Sequence, residues 1–241
     1  MEGCAITNIG RVRETNQDYS FCSCRSVGKL ENLFLVADGM GGHNAGDYAS
    51  AFTVNEMVSY IYSSVDDAPV RLLKDAVDHA NRTLYEKCKN NPLLSGAGTT
   101  LVAATVCEGI LYVGNIGDSR LYLYSEGLKQ ITRDHSLVDE LVSLGKITYD
   151  SPEYRSNKNV ITRAVGTRPE VETDFFEVMV KPGDLIMMCT DGLTGMVDDA
   201  RIETILGNTA LDLTDKAQML VEMANQNGGS DNITVLLTKI N

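Results

Sequence analysis

Residues 33–38 read LFLVAD, five apolar residues that end on an acid and are followed by Gly39. Short runs rich in Leu, Val and Ile are typical of buried β-strands. The arrangement recurs, because ILYVGNIGD at 110–118 and DLIMMCTD at 184–191 also end on aspartate. Three predicted strands therefore carry a carboxylate at their C-terminal ends, namely Asp38, Asp118 and Asp191.

Further strands and helices are predicted on either side of these runs. Helices are expected at 45–62, at 70–88 after Pro69, and within 198–226, where apolar residues recur at spacings of three and four. Strands and helices come in groups rather than in alternation, which predicts an α+β fold with mostly antiparallel sheets covered by helices. The other predicted strands are 19–24, 100–106, 120–124, 175–180 and 233–240.

One segment fits neither pattern. Residues 134–168 combine a short helical pattern with a polar stretch that contains proline. Such a length is unusual for a plain connection in a compact domain, so a functional flap is expected there. No linker or internal repeat divides the chain, and residues 1–241 are interpreted as one domain.

Composition narrows the class of function. The 241 residues include 21 Lys and Arg against 33 Asp and Glu, a formal net charge of −12. This charge argues against nucleic acid or an anionic membrane as the partner. The N-terminus lacks the pattern of a secretory signal, and no apolar stretch is long enough to span a membrane. Six cysteines without a CxxC motif favour a reduced, cytoplasmic setting.

Two more aspartates are placed to join the three at strand ends. Asp18 opens the strand at 19–24 and Asp231 opens the strand at 233–240. In an antiparallel sheet the start of one strand lies beside the end of its neighbour, so all five acids are able to meet at one edge. Clustered carboxylates without His or Cys suit Mg²⁺ or Mn²⁺, and Gly39 allows its carbonyl to join the ligands. The alternative is five unrelated turn or capping aspartates.

Other residues are candidates for binding phosphate or moving protons. Arg13 is the candidate phosphate ligand, against the alternative of an ordinary surface arginine. His43, five residues after Asp38, is a candidate proton donor, and a helix-capping histidine is the alternative. His79 and His135 receive no catalytic role. Neither a GxSxG motif nor a plausible Cys–His pair indicates a covalent nucleophile.

Eight motifs occur in an order that resembles a known family, the metal-dependent serine/threonine protein phosphatases of the 2C type in their compact bacterial form. The resemblance extends from about residue 6 to residue 238. Its motifs are RETNQD at 13–18, VADGMGGHNAGDYAS at 36–50, GAGTTLVAA at 96–104, NIGDSRLYL at 115–123, TRDHSLVDELVSLGKIT at 132–148, NVITRAVG at 159–166, PGDLIMMCTDGLTGMV at 182–197 and GGSDNITVLL at 228–237.

The resemblance implies a four-layer α-β-β-α sandwich, with two central antiparallel sheets flanked by helix pairs and a flap subdomain at about 134–165. It implies two or three divalent cations, Mn²⁺ or Mg²⁺, at the sheet edge. By position, Asp38 bridges two ions and the Gly39 carbonyl binds one of them. Residues implied for the remaining roles are Asp191 and Asp231 for the other ion, Asp118 with Asp191 for a third, Asp18 through water, and Arg13 for the substrate phosphate.

The resemblance also implies a reaction. A water or hydroxide bridged by two metal ions attacks the phosphorus of phosphoserine or phosphothreonine directly. Animal members carry a histidine directly after the Asp-Gly pair, where this chain has Met40, so His43 or a metal-bound water would protonate the leaving group. A catalytically weak regulatory member of the same fold is the alternative. A two-metal nuclease shares the ion chemistry but fits the charge of −12 poorly.

Implied partners are phosphorylated proteins and a cognate bacterial Ser/Thr kinase, without nucleic acid or membrane, and the chain is expected to be a monomer.

Overall fold

A computed structural model describes residues 1–42, 45–149, 151–157 and 159–241. The strands are β1 (Glu2–Asn8), β2 (Asp18–Ser23), β3 (Leu33–Met40), β4 (Gly98–Thr99), β5 (Leu101–Cys107), β6 (Ile110–Ile116), β7 (Arg120–Tyr124), β8 (Leu128–Gln130), β9 (Asp174–Met179), β10 (Leu185–Cys189) and β11 (Ile233–Lys239). The helices are α1 (Ala45–Ser63), α2 (Pro69–Asn90), α3 (Leu137–Ser143), α4 (Pro152–Asn157), α5 (Asp191–Thr194), α6 (Asp199–Leu206) and α7 (Leu213–Gln226), and a 3₁₀ turn covers Pro92–Leu94.

The strands form two antiparallel sheets. One has the order β1-β11-β10-β7-β8, and the other has the order β2-β3-β5-β6-β9 with β4 paired to β3. Helices α1 and α2 pack on the second sheet, while α6 and α7 share a core with the first. The predicted α+β sandwich of four layers is therefore confirmed.

Alternation along the central strands divides their side chains between cores. In β3, Leu33 and Leu35 face the α1–α2 core, whereas Phe34 and Val36 enter the core between the sheets. Strand β11 divides in the same way between the α7 core and the space between the sheets. Strands buried on both faces have no polar face to preserve, which explains why they read as continuous apolar runs.

Several predicted elements are confirmed and others need correction. Helix α1 matches the predicted 45–62, and α2 begins at Pro69 as expected. The region 198–226 contains two helices, α6 and α7, separated at 207–212. Strand β1 was not predicted: it is an edge strand, paired only with β11 in the described sheet, and its half-exposed sequence EGCAITN lacks a continuous apolar run.

The segment 134–165, called the flap below, contains more regular structure than its polar sequence suggests. It carries the short helices α3 and α4. Ser136 caps α3 by accepting a hydrogen bond from the Asp139 N–H. Among the described residues, none of the helices combines the length and apolar character required to cross a bilayer.

Candidate active site

A cavity of about 240 Å³ opens where strands from both sheets end. Four of the five aspartates from the sequence analysis line it, and the fifth, Asp18, is the register partner of Asp38 in the β2–β3 pair. Strand ends from different parts of the chain thus bring the acids together. The lining residues are Arg13, Gln17, Asp38, Gly39, Met40, Gly41, Thr100, Asp118, Asn159, Ile161, Asp191, Asp231 and Asn232.

Asp38 is held in place through its backbone. Its N–H donates to Thr100 Oγ1 at 2.9 Å, and its carbonyl accepts from the Thr100 N–H at 2.9 Å and from Thr99 Oγ1 at 2.9 Å. The Thr100 hydroxyl is also 2.7 Å from the Ser119 hydroxyl. One buried threonine therefore links the end of β3 to the loop that carries Asp118.

Asp18 connects the two sheets through its side chain. Thr190, which directly follows β10, and Thr234 of β11 donate from their Oγ1 atoms to Asp18 Oδ2 at 2.9 and 2.7 Å. The other oxygen, Oδ1, is shielded from solvent and has no hydrogen-bond partner among the described residues. An unpaired buried carboxylate oxygen is costly, so its environment favours a ligand that supplies positive charge or a donor.

Glycine follows aspartate at 38–39 and at 191–192 for the same physical reason. A Cβ at Gly39 would overlap the Gly46 carbonyl oxygen of α1, and a Cβ at Gly192 would overlap the Asn232 carbonyl oxygen. Each glycine therefore allows another stretch of backbone to pass directly against an acid-bearing strand end. Close backbone approach, rather than a tight turn, explains glycine at both positions.

The site holds more carboxylates than can ionise together. Burial raises the pKa of Asp18 to about 7 and that of Asp118 to about 7, and it raises the pKa of Asp38 well above its ordinary value. The negative charge of Asp191 adds to the shift of all three. A divalent cation would relieve this repulsion, and the donors are oxygen atoms of the type that Mg²⁺ and Mn²⁺ prefer.

The side chains of these aspartates are not arranged around one common point. Within the described part of the chain, no three Asp, Glu, His or Cys side chains are grouped as a ready-made metal cage. The fit to a cation therefore rests on the donor chemistry, on the raised pKa values and on Asp18 Oδ1.

Arg13 lies at the cavity but already has a partner. Its Nη2 donates to Asp231 Oδ2 at 2.6 Å, and half of its side chain is exposed. The hydrogen bond to Asp231 raises the pKa of Arg13, so the guanidinium remains charged. Both predicted residues are at the site, but they bind each other, a pairing that the sequence did not indicate.

Polar residues that the sequence analysis did not select support this arrangement. Asn232 Oδ1 accepts from the Gln17 N–H at 2.9 Å, and Asn232 Nδ2 donates to the carbonyls of Ile9 and Thr15 at 2.9 and 3.0 Å. Asn232 therefore ties the loop that carries Arg13 to the start of β11. Nothing local distinguishes such an asparagine from an ordinary turn residue.

The remaining predicted residues are placed as follows. Gly39 lines the cavity, and so does Met40. Met40 is the residue directly after the Asp-Gly pair, where the animal members of the family carry a histidine. Asn159 and Ile161 bring the flap to the same cavity. His43 lies outside the described residues, so its predicted role as proton donor stays a prediction.

Comparison with known proteins gives a consistent result. The family model described as protein phosphatase 2C matches residues 10–228. The chain is 37% identical over 246 residues to the serine/threonine phosphatase stp of Listeria innocua, which covers 98% of this chain and 94% of the relative.

Solved structures are similarly close. The structure of the S. agalactiae serine/threonine phosphatase aligns with a TM-score of 0.92 at 34% identity, covering 100% of this chain and 99% of that one. A crystal structure of the catalytic domain of the phosphatase PstP, in complex with two manganese ions, aligns with a TM-score of 0.84 at 32% identity, covering 100% of this chain and 98% of the other.

Proposed function

Because this chain belongs to the protein phosphatase 2C family and is a serine/threonine phosphatase, we propose that it transfers the phosphoryl group of phosphoserine and phosphothreonine in proteins directly to water. The observation that carries the proposal is the set of buried or partly buried aspartates at one cavity. Burying carboxylates that repel one another destabilises a fold, so uncharged residues would stabilise this region better. The cluster of acids is therefore better explained by function than by stability.

The enzyme depends on divalent metal, and we assign the ligands as follows. Asp38, the Gly39 carbonyl, Asp191 and Asp231 hold two cations, Mn²⁺ or Mg²⁺. Asp118 with Asp191 holds a third, and Asp18 acts through water. Such cations, when bound, acidify water and neutralise charge on the phosphoryl oxygens. The raised pKa values of Asp18, Asp38 and Asp118 support this assignment, because they identify carboxylates that need a positive neighbour.

Arg13 has a distinct task in this proposal. Its forked guanidinium matches two phosphate oxygens, and its position beside Asp231 keeps it at the cavity before substrate arrives. If Asp231 is a cation ligand, the cation competes with Arg13 for the same carboxylate, and the Arg13–Asp231 ion pair is expected to weaken or open when the cation binds. Opening would release the guanidinium toward the phosphate. The Asp231 carboxylate would thus hold Arg13 in the metal-free protein and exchange it for the cation when metal binds.

The proposed substrates are phosphorylated proteins, and the proposed counterpart is a Ser/Thr kinase of the same cell whose modifications this enzyme removes. We place the protein in the cytoplasm as a monomer. The flap, which contributes Asn159 and Ile161 to the cavity, is the part of the chain best placed to contact residues around the phosphorylated side chain.

Hydrolysis of a phosphothreonine peptide tests the proposal. Purified protein stripped of metal should release phosphate only after Mn²⁺ or Mg²⁺ is added. Asp38→Asn should lower kcat/KM by at least about a hundredfold, whereas Asp67→Asn, at an exposed position between α1 and α2, should leave it unchanged. Phosphate release at full rate in the presence of a chelator, or by the Asp38 variant, would overturn the proposal.

A further inference from the structure

His135, a buried histidine near the start of the flap, makes a reciprocal pair of hydrogen bonds with Gly117. The His135 N–H donates to the Gly117 carbonyl at 2.9 Å, and the Gly117 N–H donates to His135 Nδ1 at 3.1 Å. Both polar groups of Gly117 are therefore bound by one residue, whose side chain is only 7% exposed. The peptide groups on both sides of the Gly117 Cα are therefore held, which restricts rotation about the φ and ψ of this residue.

Gly117 directly precedes Asp118, and its geometry is demanding. Its φ is +99°, a conformation in which other residues are strained. An added Cβ would also lie 2.6 Å from the Thr100 side chain. On the other side of Asp118, the Ser119 hydroxyl is 2.7 Å from the Thr100 hydroxyl. Asp118 therefore lies between Gly117, which His135 holds, and Ser119, which Thr100 contacts.

The second ring nitrogen of His135 contacts Asp174, the first residue of β9. Because Nδ1 accepts from Gly117, the ring proton of neutral His135 is on Nε2, which is 3.1 Å from Asp174 Oδ2. Asp174 Oδ1 accepts from Arg163 Nη1 at 2.8 Å, and the His135 carbonyl accepts from the Thr162 N–H at 2.8 Å. His135 therefore connects the Asp118 loop to the flap at Thr162, and through Asp174 to Arg163.

We propose that His135 is a positioning residue, which sets the orientation of Asp118 through Gly117 and couples that orientation to the flap at Thr162 and Arg163. It does not line the cavity and is not assigned contact with substrate. The inference rests on the proposed function in one respect, the assignment of Asp118 as a cation ligand. Loss of a group that orients a metal ligand from outside typically lowers metal affinity by about 10- to 100-fold, and the lower end is expected here because His135 acts through Gly117.

Two substitutions separate the functions of the two ring nitrogens. Asparagine in place of His135 puts an acceptor oxygen where Nδ1 was and removes the Asp174 contact. Glutamine puts a donor where Nε2 was and removes the Gly117 acceptor. His135→Asn should therefore preserve the Gly117 hydrogen bond, and His135→Gln should lose it.

The first readout needs no metal and no substrate. In the metal-free protein, ¹⁵N NMR should show the Nε2–H tautomer of His135 and a slowly exchanging Gly117 amide. That amide should exchange at least about tenfold faster in His135→Gln, and within about threefold of wild type in His135→Asn. An Nδ1–H tautomer in the wild type, or a Gly117 amide that stays protected in a folded His135→Gln variant, would overturn the inference.

The second readout is the affinity for Mn²⁺, measured by calorimetric titration. His135→Gln should weaken binding of the ion assigned to Asp118 by about tenfold and leave the other ions unchanged, whereas His135→Asn should bind all ions as wild type does. Equal loss in both variants would mean that the ring is needed only for packing and would refute the positioning role. Failure of the proposed function has a different signature, because wild-type protein would then lack metal-dependent phosphate release while the Gly117 amide still behaved as predicted.

Discussion

Arg13 and Asp231 form an ion pair in which each residue is assigned a second partner. The pair is partly exposed, with side-chain exposures of 50% and 29%, and such pairs contribute little to stability. Its importance is positional instead. The carboxylate holds the guanidinium at the cavity by a 2.6 Å hydrogen bond, so removing the arginine should weaken substrate binding without weakening cation binding.

Arg13→Ala should raise KM for a phosphothreonine peptide and lower kcat/KM by about 10- to 100-fold, the value of a lost charge-assisted hydrogen bond. Without substrate, Mn²⁺ affinity should stay the same or rise, because Asp231 loses its competing partner. Steady-state kinetics and calorimetric Mn²⁺ titration measure the two effects. Arg71→Ala, which removes an exposed arginine of α2 that pairs with Asp66, is the matched control. Weaker Mn²⁺ binding by Arg13→Ala would contradict the exchange.

At the scale of elements, the site depends on how closely α5 approaches β11. Asp191 is the first residue of α5, and Gly192 lies directly against the Asn232 carbonyl at the start of β11. The Thr190 N–H donates to the Thr234 carbonyl at 3.2 Å, and the Thr234 N–H donates to Thr190 Oγ1 at 3.0 Å. These contacts bring Asp191 and Asp231 to one side of the cavity, so an atom inserted between the two elements should separate the acids.

Gly192→Ala should destabilise the protein by about 1–3 kcal/mol, because its methyl group overlaps backbone that cannot move independently. It should also lower kcat by at least about tenfold, since small displacements of reacting groups cost large factors in rate. Denaturant unfolding and phosphatase kinetics measure the two effects. Gly127→Ala is the control, because its added Cβ would meet only the Glu203 side chain at 3.4 Å. Normal activity in folded Gly192→Ala would show that the close approach does not position Asp191.

For the whole molecule, the acids that give the net charge of −12 do not all affect stability equally. Asp18 and Asp118 have pKa values of about 7 in the folded protein, against 3.8 for an ordinary aspartate. Between about pH 4 and pH 7 the metal-free folded state therefore binds more protons than the unfolded state. Stability from these groups is present below about pH 4 and is lost as the pH rises through 7. Bound cations would replace the protons and reverse the trend.

Metal-free protein should consequently unfold at a lower temperature at pH 8 than at pH 5.5, by at least about 2 °C for a chain of this size. Adding Mn²⁺ should raise Tm more at pH 8 than at pH 5.5, because cation binding competes with protonation. Differential scanning calorimetry of both forms provides the measurement. Asp118→Asn should reduce the pH dependence of the metal-free form. A metal-free Tm that increases steadily up to pH 8 would contradict the raised pKa values as the dominant influence.

The predicted part of the fold and site consists of features encoded by near neighbours in the chain. Strand β3 was predictable because Leu33–Ala37 is buried on both faces and therefore uniformly apolar. Asp38, Asp118 and Asp191 were predictable as a group because each follows an apolar strand, and Asp18 and Asp231 because each precedes a predicted strand. Strand β1 and the short strand β8 were missed because they are half exposed and carry no continuous apolar run.

The partners of each acid were not predictable in the same way. Thr234 reaches Asp18 across 216 positions of the chain, and Arg13 reaches Asp231 across 218. His135 received no role from the sequence, and its hydrogen bonds to Gly117 and Asp174 emerge only when the flap and the sheet edge are packed together.

The amino-acid sequence by itself determined most of the strands, the main helices and the aspartates at strand ends, because hydrophobic periodicity and the residues that bound a strand depend on near neighbours in the chain. Only the tertiary structure decided which donor each carboxylate receives, which acid binds Arg13 and how the flap reaches the Asp118 loop. The physical reason is that a hydrogen bond forms only when the donor–acceptor distance lies within a few tenths of an ångström of its preferred value. Such distances between residues more than 200 positions apart are set by the packing of two sheets, not by any local pattern.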